Sequence, residues 1–248
     1  MKFTIITATF NSQQFIGSCV QSVLNQTYSD FEVILVDGAS TDSTLQIVRE
    51  FNDPRIKIYS EPDQGIYFAL NKGLSLATGD IIGFLHSDDY FVNNDVLNVI
   101  AREFEENRID GIYSNLNYVN QTNPKQIIRN WKSKPFNSIF LKFGWMPPHP
   151  TLFVKNEVYQ KIGYFNTSYR IAADYEWILR LFTDNRFNMK YLDMYISDMR
   201  IGGVSNGSIK SIVKKSKEDY SVIRKYPLWG FGTLIFKNIR KVPQLLKM

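Results

Sequence analysis

Four polar residues close the run FLHSDD, residues 84–89, and two of them are adjacent carboxylates, Asp88 and Asp89. Neighbouring acids at the tip of an apolar stretch repel each other, so they are either solvated in a turn or placed to hold a cation. The same placement recurs along the first half of the chain. Thr7, Thr9 and Asn11 follow one apolar run, Asp37 through Asp42 follow FEVILVD, and Glu61, Asp63 and Gln64 follow RIKIY. Asp, Ser and Asn are common turn residues, which would account for one such cluster. Four clusters argue instead for a nucleotide-sized polar ligand. A further acid, Asp174, opens the stretch DYEWILRL, where it suits a helix N-terminus and its dipole.

The elements that position these groups follow from periodicity. Continuous apolar strands are expected at 3–7, 31–37, 55–59, 80–85 and 111–115, separated by helices at 15–24, 42–51, 65–77 and 95–104. Apolar strands alternating with helices predict a mostly parallel α/β sheet covered on both faces, with ligands at the carboxyl ends of the strands. The second half is less regular: a polar hairpin over 117–131, a short helix at 135–143, a strand at 149–155, helices at 156–162 and 174–182, and a strand at 190–197. Two basic amphipathic segments follow, around 209–225 and 228–247.

Composition narrows the class. A hydrophobic fraction of 44% in 248 residues suits a globular chain with a sizeable core. The single cysteine, Cys19, excludes an internal disulfide, fits a reducing compartment and sits where a small core residue is expected. No signal peptide is read at Met1-Lys2, and no apolar run reaches the roughly 18 residues a membrane span needs. From Ser208 onward the chain carries +8, while residues 1–207 carry −3, so the net +5 belongs to the C-terminal segment. Its cations are interleaved with Trp229, Phe231, Leu234, Ile235 and Phe236. That pattern suits an anionic membrane surface, or a helix folded on the body or a partner, and offers no single-strand platform for nucleic acid. The expected location is cytoplasmic, peripheral on the inner face of the membrane.

Rival phosphate-binding patterns are missing: no GxGxxG follows the first strand and no GxxxxGK[ST] occurs. A divalent cation on Asp88 and Asp89 is the substitute for handling phosphates. The ordered series TATFN (7–11), SVLNQTY (22–28), VDGASTDST (36–44), DQGIYFALNKGLSLATGD (63–80), FLHSDD (84–89), HPTLFVKNEVYQKIGYF (149–165), AADYEWILRL (172–181) and GGVSN (202–206) resembles inverting glycosyltransferases of family 2 with the GT-A fold, of the surface-polysaccharide-biosynthesis type.

That resemblance implies a hexosyl transfer from a nucleotide sugar, UDP-linked by preference, to a lipid-linked or growing glycan. Residues 1–115 become the nucleotide-sugar half, 116–206 the acceptor and catalytic half of the same domain, and 207–248 a basic extension. Asp37 is expected to accept the uracil N–H, with Thr9, Asp63, Asn71 and Lys72 along the nucleoside. Ser87 and Asp88 belong to the donor side, and Asp88 and Asp89 to a Mn or Mg ion. Asp174 is the implied general base. Departures are His86 for the first acid of the metal motif, Ala173 for the first member of an acidic pair, and Phe68 where relatives often carry an acid. His149, Trp145 and Met146 are expected to border the acceptor, and Arg200 with GGVSN to form a lid. QIIRNW (126–131) has the wrong spacing and position for the QxxRW of processive synthases, so one sugar per encounter is expected. The alternatives are a catalytically silent nucleotide- or glycan-binding subunit and a nucleotidyltransferase.

Overall fold

β1 (Phe3–Thr9) and β2 (Phe31–Asp37) are buried at every position and lie between β3 (Ile56–Ser60) and β4 (Ile81–Phe84), all four running parallel. Strands with no wet face need helices on both sides. Alternate residues divide between them: Ile6, Ala8, Ile34 and Val36 pack with Ala69, Leu70 and Leu74 of α3 (Ile66–Leu76). Phe3, Ile5 and Val33 turn the other way, toward Cys19 and Val23 of α1 (Ile16–Leu24) and Ile100 of α4 (Val96–Glu106). α2 (Thr44–Glu50) joins β2 to β3. Gly73 lets α3 approach β1 closely, since a Cβ there would stand 2.4 Å from Ile6 Cγ2.

The computed structural model describes residues 1–201 and 209–240. Its sheet departs from the simple parallel series in the second half. β6 (Gly111–Val119) is separated from β4 by β8 (Phe153–Lys155), which is antiparallel to both. Apolar runs of this length report burial and not neighbours, so the strand expected at 149–155 gave no sign of its place between β4 and β6. Two antiparallel steps restore direction, and β9 (Met189–Arg200) runs parallel to β6. The carboxyl ends of β6 and β9 therefore open on the same edge as those of β1, β2 and β4. β5 (Tyr90–Phe91) pairs with β9, and β7 (Ile127–Trp131) completes the expected hairpin with β6. The remaining elements of this half are α5 (Ile139–Lys142), a 3-10 turn at His149–Thr151, α6 (Asn156–Ile162), which starts at the amino edge beside Asp80, and α7 (Ala173–Thr183).

The basic segment forms α8 (Ile209–Ile223) and α9 (Phe231–Ile239), and both pack on the body. Val222 and Ile223 join the core cluster that holds Tyr159 and Trp177. Asp219 and Lys237 form a buried ion pair at 2.6 Å, and Thr233 donates to the Lys142 carbonyl at 2.8 Å. The opposite face of α9 leaves Phe231, Ile235 and Ile239 exposed. The expected GGVSN lid lies outside the described residues, among which no helix is long and apolar enough to cross a membrane.

Candidate active site

The loops after β1 and β2 are braced into one unit. Asn11 and Ala39 both adopt left-handed backbone, with φ of 47° and 63°. Asn11 Oδ1 accepts from Thr41 N at 2.9 Å, and Asn11 N donates to Ser40 Oγ at 2.8 Å. Asp37 is wholly buried: its Oδ2 accepts from Ser40 N at 2.9 Å and Ser60 Oγ at 2.7 Å, and its Oδ1 from Ser40 Oγ. Thr9 is buried beside it in register, and its hydroxyl has no hydrogen-bond partner among the described residues. What this corner shows to solvent is Phe10, 61% exposed, and Asp63. Both close around Gly38, where a Cβ would meet Asp63 Oδ2 at 2.9 Å and the Phe10 ring at 3.4 Å.

Two residues expected along the nucleoside are committed elsewhere. Asn71 clamps the Phe165 backbone, donating to its carbonyl at 2.9 Å and accepting from its N–H at 3.0 Å, because α3 must be tied to the loop before α7. Lys72 pairs with exposed Glu61 at 3.2 Å.

The turn after β4 is pinned at three points. The His86 carbonyl accepts from Asp89 N at 2.9 Å and from the Cys19 thiol at 3.3 Å. Ser87 Oγ lies 2.9 Å from Ser12 Oγ. Arg200 Nη1 donates to the Asp88 carbonyl at 2.6 Å while its guanidinium rests on Phe15 and Tyr90. Arg200 is thus a buried strut under the turn and not part of a lid, because β9 ends on this edge. Asp89 is 1% exposed, and among the described residues neither carboxylate oxygen completes a side-chain hydrogen bond, although the backbone N–H and the charge of Arg200 act on it. Burial, and next the charge of Asp88, push its carboxyl well above the usual range against that pull of Arg200. A buried carboxylate so thinly compensated favours a proton or a cation, so Asp89 fits a hard divalent ion.

Asp174 reaches the same place from the second half. Its helix is capped by Ala172, which leaves Asp174 in the first turn as the second helical residue. Tyr175 N donates to its Oδ1 at 2.7 Å and Tyr67 Oη does so at 3.2 Å; among the described residues Oδ2 takes no bond. Tyr67 also donates to the Ile171 carbonyl at 2.9 Å. Burial lowers the His86 imidazole, against the opposing charges of Asp88 and Asp174. Burial likewise pushes His149 down to about 4, with Asp174 opposing. His149 stacks on Phe84 at 5.1 Å and lies 6.0 Å from His86, ring to ring. Tyr118 at the end of β6 is raised by burial against Arg129, and it feels both Asp89 and Asp174. His86 therefore lies within reach of the charges of both Asp88 and Asp174, and Tyr118 within reach of those of Asp89 and Asp174.

Trp145 does not border this edge. It is 2% exposed and packed edge-on to Tyr113 and Phe182, with Met146 against the same cluster, because the aromatic core between β6 and α7 needs a large side chain. Tyr67, Tyr118 and Phe10 stand at the candidate site and were not singled out by pattern reading. The first and last carried a signal, since each sits within a motif that ends or follows a strand.

The family model described as "Glycosyl transferase family 2" matches residues 4–194. A PGL/p-HBAD biosynthesis glycosyltransferase of Mycobacterium tuberculosis is 32% identical over 209 residues, 82% of this chain and 79% of that protein. The chondroitin synthase of Pasteurella multocida is 31% identical over 87% of this chain, which spans 22% of that longer protein. Among solved structures, S. aureus TarS in complex with UDP-GlcNAc superposes with a TM-score of 0.67 at 22% identity, covering 91% of this chain and 65% of that one. The mannosyltransferase PcManGT from Pyrobaculum calidifontis, in complex with GDP-Man and Mn2+, gives 0.66 at 17% identity over 99% of this chain and 71% of that one. These likenesses identify the GT-A fold.

Proposed function

The chain belongs to glycosyl transferase family 2, and from that premise we propose that it moves a sugar from a nucleotide sugar, UDP-linked by preference, to a hydroxyl of a lipid-linked or growing glycan with inversion at the anomeric carbon. The observation that carries this reading is the meeting of Asp174 with the Asp88–Asp89 turn on one sheet edge, with one Asp174 oxygen held and the other open. Asp174 is the general base. Tyr175 N and Tyr67 Oη orient its carboxylate through Oδ1, so Oδ2 can take the proton of the attacking acceptor hydroxyl. A single displacement from the face opposite the leaving group needs no covalent intermediate. A silent binding subunit would have no use for that open oxygen.

Asp88 and Asp89 are the protein's donors for a Mn or Mg ion. Bound there, such an ion supplies a Lewis acid that offsets charge developing on the leaving nucleoside diphosphate. Arg200, Ser12 and Cys19 fix the turn that carries both acids. Phe10 and Asp63 form the exposed corner for the base, with Thr9 and Asp37 behind it. Ser87 sits on the donor side of the turn, and Asn71 and Lys72 act at one remove by shaping α3 and its approach. UDP-GlcNAc bound to TarS and GDP-Man with Mn2+ bound to PcManGT support a nucleotide-sugar donor. The exposed face of α9 and the +8 charge of the C-terminal segment suit an anionic membrane that would present a lipid-linked acceptor.

Calorimetry and transfer assays test the assignment together. Asp174→Asn is expected to keep UDP affinity and lose about 10²–10⁴-fold in kcat, the range for a missing general base. Asp88→Ala is expected to weaken manganese-dependent UDP binding. The reading falls if no nucleoside diphosphate binds with manganese-dependent affinity.

A further inference from the structure

The helix that carries Asp174 starts without a capping side chain. Its N-cap residue is Ala172, which has no oxygen to offer the amides at the helix start. An acceptor for the residues that lead into it comes from the C-terminal segment. Glu218 on α8 places Oε2 at 2.8 Å from Ile171 N and 3.1 Å from Ala172 N. The Ile171 residue is thereby gripped from both sides, its N–H by Glu218 and its carbonyl by Tyr67, and Tyr67 also holds Asp174 Oδ1.

α8 is itself fixed in place. Val222 and Ile223 are fully buried, and Asp219 next to Glu218 pairs with Lys237 at 2.6 Å. The Lys237 ammonium lies 3.2 Å from the centre of the Tyr175 ring, the residue that follows Asp174. At the next position, Tyr226 Oη donates to Glu176 Oε1 at 3.2 Å. The C-terminal hairpin thus touches two consecutive helical positions, Tyr175 and Glu176, and the two residues that lead into the helix, Ile171 and Ala172; Asp174 it reaches only through these.

We propose that Glu218 is the positioning residue of the catalytic base: by binding the amides of Ile171 and Ala172, the residues by which the chain enters α7, it fixes the start of the helix and sets where Asp174 Oδ2 points. This rests on the reading of Asp174 as general base. A carboxylate accepting two backbone N–H groups is a strong, charge-assisted clamp, and small misplacements of a base are costly in rate. The nucleoside corner of the donor site, Phe10 and Asp63, is built on the loops after β1 and β3 and not on α7 or α8.

Three variants decide it, each assayed for kcat, donor KM, manganese-dependent UDP affinity and thermal midpoint. Glu218→Gln keeps an oxygen acceptor at the same reach and is expected to stay near the parent kcat. Glu218→Asp retains charge but withdraws it from the amides, and is expected to lose about tenfold in kcat with donor KM and UDP affinity unchanged. Glu218→Ala is expected to lose at least as much. If Ala fails to fold, the Gln and Asp pair still decides. Parent-level kcat in Glu218→Asp overturns the proposal, as does a loss that follows donor KM and thermal midpoint in parallel. Asp174→Asn run alongside separates the two claims: loss of transfer there with a fully active Glu218→Asp sinks only the positioning role, whereas full transfer in Asp174→Asn sinks both.

Discussion

Asp89 and Asp174 are two carboxylates on one edge with opposite treatment. Among the described residues Asp174 takes donors on one oxygen and none on the other, while Asp89 is buried beside the Arg200 backbone. In the proposed reaction the first would take the acceptor proton and the second would hold a cation. FLHSDD and DYEWILRL announced the acids, but only the structure showed how differently their oxygens are surrounded. Phe10 shows the reverse limit, because nothing in the pattern of TATFN singles it out and it proves 61% exposed. If its ring stacks on the nucleotide base, Phe10→Ala weakens UDP binding by about 1–3 kcal/mol, the usual value of a base–aromatic stack. Calorimetry giving parent affinity would remove Phe10 from the site.

At the scale of elements, the amino edge of the sheet is held by a residue with no catalytic part. Glu32 on β2 accepts from Lys57 on β3 at 2.7 Å, Thr4 on β1 at 2.7 Å, and both the amide and the hydroxyl of Thr78 at 2.8 Å. Burial pushes this carboxyl up, but Lys57, Thr4 and Thr78 outweigh it and hold it at about 2. A carboxyl lowered in the folded chain adds stability that is complete above its ordinary value of 4.5 and is lost as pH falls toward 2. Glu32→Gln is therefore expected to be less stable at pH 7 and to lose less between pH 4.5 and 2, measured by urea unfolding across that range. An unchanged acid slope would show that the staple carries no weight. The alternation of strands and helices that builds this edge was readable from period alone. The insertion of β8 between β4 and β6 was not, since a three-residue apolar strand fits any neighbour equally well.

For the molecule as a whole, the basic C-terminal segment has two faces. One supplies Thr233, Leu234 and Lys237 to the interior, and the other exposes Phe231, Ile235 and Ile239, with Trp229 and Phe236 partly exposed at its sides. Membrane contact and packing on the body, alternatives in the sequence, are compatible on one helix. Vesicles of phosphatidylglycerol are expected to co-sediment the protein in low salt, and about 1 kcal/mol per engaged cation should be lost on going to neutral phosphatidylcholine. The triple change Phe231→Ser, Ile235→Ser, Ile239→Ser should abolish that binding without lowering kcat on a soluble acceptor. Equal binding to both lipids, or to neither, would remove the membrane from the proposal.

Sequence by itself determined the identity of the chemistry-bearing groups and the edge on which most of them lie, because strand period and the rule of carboxyl-end loops depend on local pattern. It also fixed the family, through an ordered series of short motifs. Tertiary structure alone decided which groups are exposed and which brace the loops, as with Phe10 against Asp37, and how Arg200 supports the Asp88–Asp89 turn. It decided too that a glutamate 44 residues beyond Asp174 holds the backbone just before the helix that carries it. Those facts rest on distances between segments far apart in the chain, and no local periodicity encodes a partner at that separation.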